Sequence, residues 1–384
     1  MASVTSPVAG RSLVVLHPAF ALTGILHAIG GPLLPSLAAT FHLSDNQAGL
    51  LFLCYFLGTS LGALLCTRNY ARSIAVGFVV LAAACACVTV VSSGFLHSTF
   101  LVMGISVGVC MSAITMFAGR NFPGRNAATL TFINFTWSVG ALAAPLLAAR
   151  LLLSHTYRSA YSVLAVAAAV AAVASWSLLA DAPEKALVIG DARDMPNVRF
   201  IALFALLTFL EVGIENTTIS WLATYTLRSE HSGAAMAAAS SSLYWCGFLA
   251  SRGISSLLLL RLNPMRVLRY SVVTAALAAS LLIGAQGQAC LGIAMFVFGA
   301  ALAPIFPLLL SRFFGGARHT YDARWVLAIC GFGGSVLPWF TGWLSNRTGS
   351  LRIGLITVPA SLLLMICTLP ALRDPRNQHV EKCV

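Results

Sequence analysis

Apolar runs of twenty or more residues, separated by short breaks rich in charge, glycine or proline, fill this chain from residue 14 to residue 371. A helix that crosses a bilayer needs about 20 such residues. The pattern predicts twelve of them, at 14–40, 46–67, 73–94, 97–119, 126–153 and 158–180, then at 200–227, 233–260, 267–286, 288–311, 322–345 and 351–371. The runs do not alternate as barrel strands do. In hydrocarbon every backbone polar group must be paired internally, so helices are expected. The longest hydrophilic stretch, residues 181–199, carries Pro183, Glu184, Lys185, Asp191, Arg193 and Asp194 and separates six spans from six. The expected fold is all-α: twelve transmembrane helices in two similar six-helix bundles, 1–181 and 198–384, with a linker at 182–197 and a short tail.

Composition agrees. Of 384 residues, 59% are hydrophobic and 9% charged, where a soluble domain carries about 25% charged residues. Mean hydropathy is +0.88. A net charge of +12 is compatible with nucleic-acid binding, but the basic residues cluster between apolar blocks and read better as topology signals. With the N-terminus in the cytoplasm, seventeen of them fall inside, among them Arg11, Arg68, Arg72, Arg120, Arg125 and the Arg261, Arg266, Arg269 group. Five fall outside: Arg150, Arg158, Arg228, Arg347 and Arg352. That bias predicts both termini in the cytoplasm, as in a bacterial inner-membrane protein, and no nucleic-acid partner. The ten cysteines are scattered through apolar blocks as small hydrophobes, so no metal or disulfide set is expected. The first apolar block is too long for a cleaved signal. No P-loop and no nucleophile–base constellation occurs, so neither an ATP-driven pump, an enzyme nor a cofactor is expected.

The halves echo one another. Gly140 precedes Pro145 in span five as Gly333 precedes Pro338 in span eleven. Gly58 and Gly62 of span two match Gly247 and Ser251 of span eight, a spacing that lets helices approach closely. Internal repeats of this kind mark secondary transporters.

Ionisable groups inside a span are costly and are functional candidates by default. Asp45 falls in an outer loop, and the other acids fall in the linker, the tail or at span ends. Glu211 and Glu215 alone lie within a span, one helical turn apart on one face. Two carboxyls this close in a low dielectric cannot both stay ionised, so one can carry a proton. For Glu215 one role is that carrier. Its alternative is a structural pairing with a basic or amide group. Glu211, nearer the span's start, is equally at home facing headgroups or water. His27, mid-span one, reads as a solute contact or proton acceptor, or as a neutral core histidine. Trp137, Trp221, Tyr225, Tyr244 and Trp245 offer rings that stack on a sugar face, and Asn216 an amide that matches a hydroxyl. The same aromatics near span ends suit interface belts. Arg252 reads as a snorkelling, capping or gating residue. Trp325 and Phe332 are cavity candidates. Gly299, Pro304 and Pro307 interrupt span ten, which suits a bend.

Four stretches carry a resemblance: GGPLLPSLAATFHLSDNQAGLL from Gly30, EVGIENTTISWLATY from Glu211, YWCGFLASR from Tyr244, and GAALAPIFPLLLS from Gly299. With GALLCTRNYAR after span two, they make the chain resemble the major facilitator superfamily, and within it the fucose–galactose–glucose:proton symporter group. The resemblance implies sugar transport, with Glu215 at the group's motif glutamate and Asn134 at a sugar-contacting amide. It implies a gating loop at Gly62, Arg68 and Arg72, where Cys66 replaces the usual aspartate. The group's proton-coupling acids of spans one and four are missing; Gly30 and Gly31 stand in the first, and the stretch 104–119 has no carboxylate.

The expected function is alternating-access movement of a small neutral, hydroxylated solute, most simply a monosaccharide, by a lipid-embedded monomer. Coupling to protons through Glu215, with Glu211, stands beside passive diffusion. Export of amphipathic or lipophilic compounds and a non-transporting sensor are the alternatives.

Overall fold

The computed structural model describes residues 7–67, 69–121, 126–154, 156–179, 198–259, 261–316 and 320–372. Among these the regular structure is helical, without strands. The first half contains α1 (Pro7–Phe41), α2 (Asp45–Leu65), α3 (Tyr70–Val88), α4 (Ser93–Asn121), α5 (Asn126–Ser154) and α6 (Tyr157–Leu179). The second contains α7 (Val198–Glu230), α8 (Ala234–Ser240), α9 (Ser242–Leu258), α10 (Pro264–Gly284), α11 (Gln288–Leu302), α12 (Ile305–Gly316), α13 (Thr320–Thr348), α14 (Leu351–Gly354) and α15 (Thr357–Thr368). The expected linker, together with Arg68, Arg125 and Arg318, lies outside the described residues.

Twelve crossings result, because three are built from two helices each. Span eight is α8 and α9, joined at Ser241; span ten is α11 and α12; span twelve is α14 and α15. In span ten the break falls at Ala303 and Pro304, and Pro304 has no N–H to continue the ladder. In span twelve Pro359 likewise cannot bond back to Leu355, where the helix turns out of register. Only the break in span ten is foreshadowed by the sequence pattern. Span three stops at Val88 rather than near residue 94, where Thr89 donates to the Ala86 carbonyl and the Val90 and Val91 N–H groups to that of Cys87. Among the described residues, nine crossings have a window long and apolar enough to span a bilayer. The other three, α7, the α8–α9 pair and α13, all belong to the second half.

Asp45 does not sit in a loop. Ser44 caps α2 by accepting from Gln47 N while the Gln47 side chain accepts from Ser44 N, and Asp45 is the first helical residue. The helix dipole favours an acid at that position.

Small residues set the helix crossings, and they do so twice. In the first half, a methyl group on Gly104 of α4 would strike the Tyr55 carbonyl of α2; in the second, one on Gly299 of α11 would strike the Tyr244 carbonyl of α9. Gly140 of α5 abuts the Ala21 carbonyl of α1, and Gly333 of α13 abuts the Phe209 carbonyl of α7. Gly62, expected to gate, is part of this packing, seated against the Ile105 carbonyl of α4. The pseudo-symmetry inferred from glycine spacing is therefore a repeat of backbone contacts.

The halves meet along α2–α13, α1–α7 and the α5 seam with α8 and α9. The end where α1 turns into α2 is tight. Gly31 of α1 lies on the Ile219 carbonyl of α7, Gly49 of α2 on the Trp339 backbone of α13, and Gly342 on the Asp45 carbonyl.

Candidate functional site

A chain of rings crosses the seam at mid-height. His27 of α1 lies 5.2 Å from the Trp137 ring of α5 and 5.4 Å from Phe56 of α2, centroid to centroid. Trp137 meets Trp245 of α9 edge-on at 6.1 Å. Trp245 in turn contacts Tyr244 at 5.4 Å and Phe248 at 5.3 Å. The Arg252 guanidinium sits over Phe248, 4.6 Å from its centroid, and its Nη1 donates to the Ser138 hydroxyl of α5 at 2.9 Å. One helical repeat on α9 thus carries a ring, a ring and a cation toward α5.

The second wall is α7. Asn216 donates to the Gly334 carbonyl of α13 at 3.2 Å. Glu211 is 1% exposed, which removes the alternative that it faces headgroups or water. Glu215 is half-buried one turn on. Both carboxyls lie in the electrostatic field of Arg252, and Tyr244 of α9 and Cys330 of α13 in the field of both carboxyls.

Among the buried polar atoms with no partner in the described residues are five around this seam: Nδ1 of His27, Nε1 of Trp137, Oε2 of Glu211, the hydroxyl of Tyr244 and Nε of Arg252. A buried polar group left unpaired costs about 1–3 kcal/mol. Five converging from α1, α5, α7 and α9 mix donors and acceptors in the way that a hydroxylated ligand can answer. Beside His27 a small cavity of about 10 Å³, room for roughly one water, is walled by Phe52, Phe56, Phe100 and Met103 and floored by Gly30 and Gly31.

The expected residues are not all gathered. His27, Trp137, Glu211, Glu215, Asn216, Tyr244, Trp245 and Arg252 come together. Asn134, one turn before Trp137, is exposed, and Phe332 is 54% exposed and joins none of these ring contacts. Arg72 is exposed at the start of α3, and the side chain of Trp325 lies outside the described residues. Trp221 and Tyr225 are not belt residues. Trp221 is fully buried and donates to the Pro338 carbonyl at 2.9 Å, and the Tyr225 hydroxyl donates to the Ile283 carbonyl at 2.8 Å. Among the described residues no cluster of metal ligands occurs.

Two features escaped sequence reasoning. Ser138 carries no signal, since one serine among many is silent until Arg252 is found on it. The other is an interlock at the tight end of the seam. Arg228 of α7 donates to both oxygens of Asp45, at 2.8 and 2.6 Å, and Ser345 of α13 donates to the same carboxylate. A capping-box signature followed by an acid was the available clue to Asp45; its partner, 183 residues away, was not readable.

The sequence pattern of the Major Facilitator Superfamily matches residues 16–320. A glucose/galactose transporter of Brucella abortus is 25% identical over 371 residues, covering 88% of this chain and 89% of that protein. Among solved structures, a bacterial homologue of the human lysosomal transporter Spinster, inward-facing and occupied, superposes with a TM-score of 0.75 at 14% identity, over 96% of each chain. FucP in its outward conformation superposes at 0.64 with 17% identity, over 94% of this chain and 98% of that one. The whole length of the fold is shared, and with the matched family pattern it establishes that this chain belongs to the major facilitator superfamily and is a membrane transporter rather than an enzyme.

Proposed function

We propose that the chain moves a monosaccharide by alternating access, with the solute held at the α1–α5–α7–α9 seam. The observation that carries this is the set of five unpartnered donors and acceptors beside an aromatic wall. A sugar ring offers hydroxyls to the first and a C–H face to the second. The printed name of the Brucella relative, a glucose/galactose transporter, supports hexoses as the first solutes to try. Glu215, with Glu211, is the proton carrier of a symport cycle in this reading.

In the same reading the chain works as a monomer in a bacterial inner membrane, its halves 1–181 and 198–384 rocking about the seam. Both termini are cytoplasmic, so the Asp45–Arg228 end faces outward and the structure is closed to the outside. The phenylalanine and methionine wall beside His27 favours a second reading, a lipophilic solute.

The test is counterflow in proteoliposomes. Labelled glucose or galactose should accumulate transiently against unlabelled sugar inside. Absence of counterflow for a panel of hexoses and pentoses, with counterflow of a lipophilic cation or amphiphile, would overturn the sugar reading.

A further inference from the structure

We infer that Arg252 is a positioning residue which converts the charge of the Glu211–Glu215 pair into the contact between α5 and α9. With the pair ionised, the guanidinium is drawn toward α7. With the pair protonated, it is released to hold Ser138 and tie the halves along that seam. The inference rests on the reading of the α7 carboxyls as proton carriers.

Three observations support it. First, the hydrogen bond from Arg252 Nη1 to the Ser138 hydroxyl crosses from one half to the other. Second, both α7 carboxyls lie in the field of Arg252, yet neither forms a contact ion pair with it; the ion pair recorded among the described residues is Asp45–Arg228. The cation is attracted by one half while bonded to the other. Third, a donor and an acceptor are left over, Arg252 Nε and Glu211 Oε2, both buried. A buried charge without its countercharge is strongly disfavoured, so its position follows the charge state of what faces it. The Phe248 ring under the guanidinium is a platform that holds a cation without fixing its direction.

The groups facing this arginine are few. On α7 they are Glu211 and Glu215 and on α9 Tyr244, while Cys330 of α13 faces the two carboxyls. On α1, His27 stands behind Trp137. From residue 133 to residue 149, α5 contributes no ionisable side chain, so its hold on Arg252 is a neutral hydroxyl whose strength does not change with pH. The titrating partners are the α7 carboxyls, with His27 next. Lowering the pH therefore favours the Ser138 contact and raising it weakens that contact.

The test uses the full chain, cysteine-depleted, in liposomes, with spin labels at Leu146→Cys on α5 and Ile254→Cys on α9, both at exposed positions. Double electron–electron resonance distances are read between about pH 5 and pH 8. The expected result is a population of short distances that grows as pH falls. It should become insensitive to pH in the Glu211→Gln, Glu215→Gln double variant and in Arg252→Gln, and keep its sensitivity in Arg252→Lys. Ser138→Ala, which leaves every charge in place, should lose the short-distance population at low pH. The inference is overturned by distances that do not move with pH, or by a Ser138→Ala profile identical to that of the parent. Proton-driven sugar accumulation, measured on the same liposomes, separates the two claims. Accumulation with pH-invariant distances sinks the role of Arg252 and leaves symport standing; moving distances without proton-driven accumulation do the reverse.

Discussion

The two halves share their crossings and differ in what their matching positions carry. Gly140 rests on the Ala21 carbonyl and Gly333 on that of Phe209. Two and six residues beyond those carbonyls stand Thr23 and His27 in the first half, Glu211 and Glu215 in the second. Tyr55 and Tyr244 present equivalent carbonyls to Gly104 and Gly299. The Tyr55 hydroxyl donates to the Leu26 carbonyl at 3.0 Å, whereas that of Tyr244 is unpartnered. Eight residues beyond the tyrosines are Ala63 and Arg252. A glycine against a carbonyl is a neutral contact and duplicates freely. A charge inside the bilayer is expensive, so one half carries the ions and the other offers neutral partners such as Ser138 and Trp137.

The equivalence of the frames predicts the largest effect. Gly140→Leu and Gly333→Leu both drive a side chain into backbone. Each should cost more than the roughly 1–3 kcal/mol of ordinary overpacking and abolish the monodisperse peak on size-exclusion after detergent extraction. If one variant survives, the frames are not equivalent. The difference in chemistry predicts the next. Glu215→Gln should reduce proton-driven accumulation to the equilibrium level while counterflow persists. His27→Gln, at the matching place, should keep accumulation and raise KM about two- to tenfold, the worth of one hydrogen bond. The opposite ranking would move the coupling device to the first half.

Asp45→Asn comes third. Removing one partly exposed ion pair is worth about 0.2–1 kcal/mol. It should raise maleimide labelling of Ser220→Cys, added from the side of the α1–α2 turn, by about five-fold at most. The smallest effect sharpens the tyrosine pair. Tyr55→Phe should lower stability by about 0.6 kcal/mol, a typical bond between membrane helices. Tyr244→Phe should leave the unfolding midpoint nearly unchanged and alter the pH profile of uptake instead.

Much of this was readable in the sequence, for physical reasons. Long apolar runs can do little in lipid except form helices, so most of the crossings followed from hydropathy, and Gly140 with Gly333 announced the repeat. The breaks at Ser241 and Leu355 were hidden, because a helix interrupted in mid-membrane keeps its apolar composition. The site divided in the same way. Glu211 and Glu215 stood out because acids in a span are rare, but the burial of Glu211 depends on tertiary packing, which no local pattern encodes. Trp221 and Tyr225 were ambiguous because a ring with a polar tip suits an interface and a bundle interior equally; carbonyls of Pro338 and Ile283 decided the matter. The Arg252–Ser138 bond joins residues 114 apart in sequence and leaves no trace in spacing.

The carboxylate that closes the end of the seam is 14% exposed and its arginine 45% exposed. Mobile ions therefore reach the arginine. With a Debye length of about 8 Å at physiological ionic strength and about 3 Å at 1 M, added salt competes for this clasp while leaving the buried rings untouched. In the alternating-access reading, ionic strength thus becomes a dial on how readily that end of the seam opens, independent of the solute.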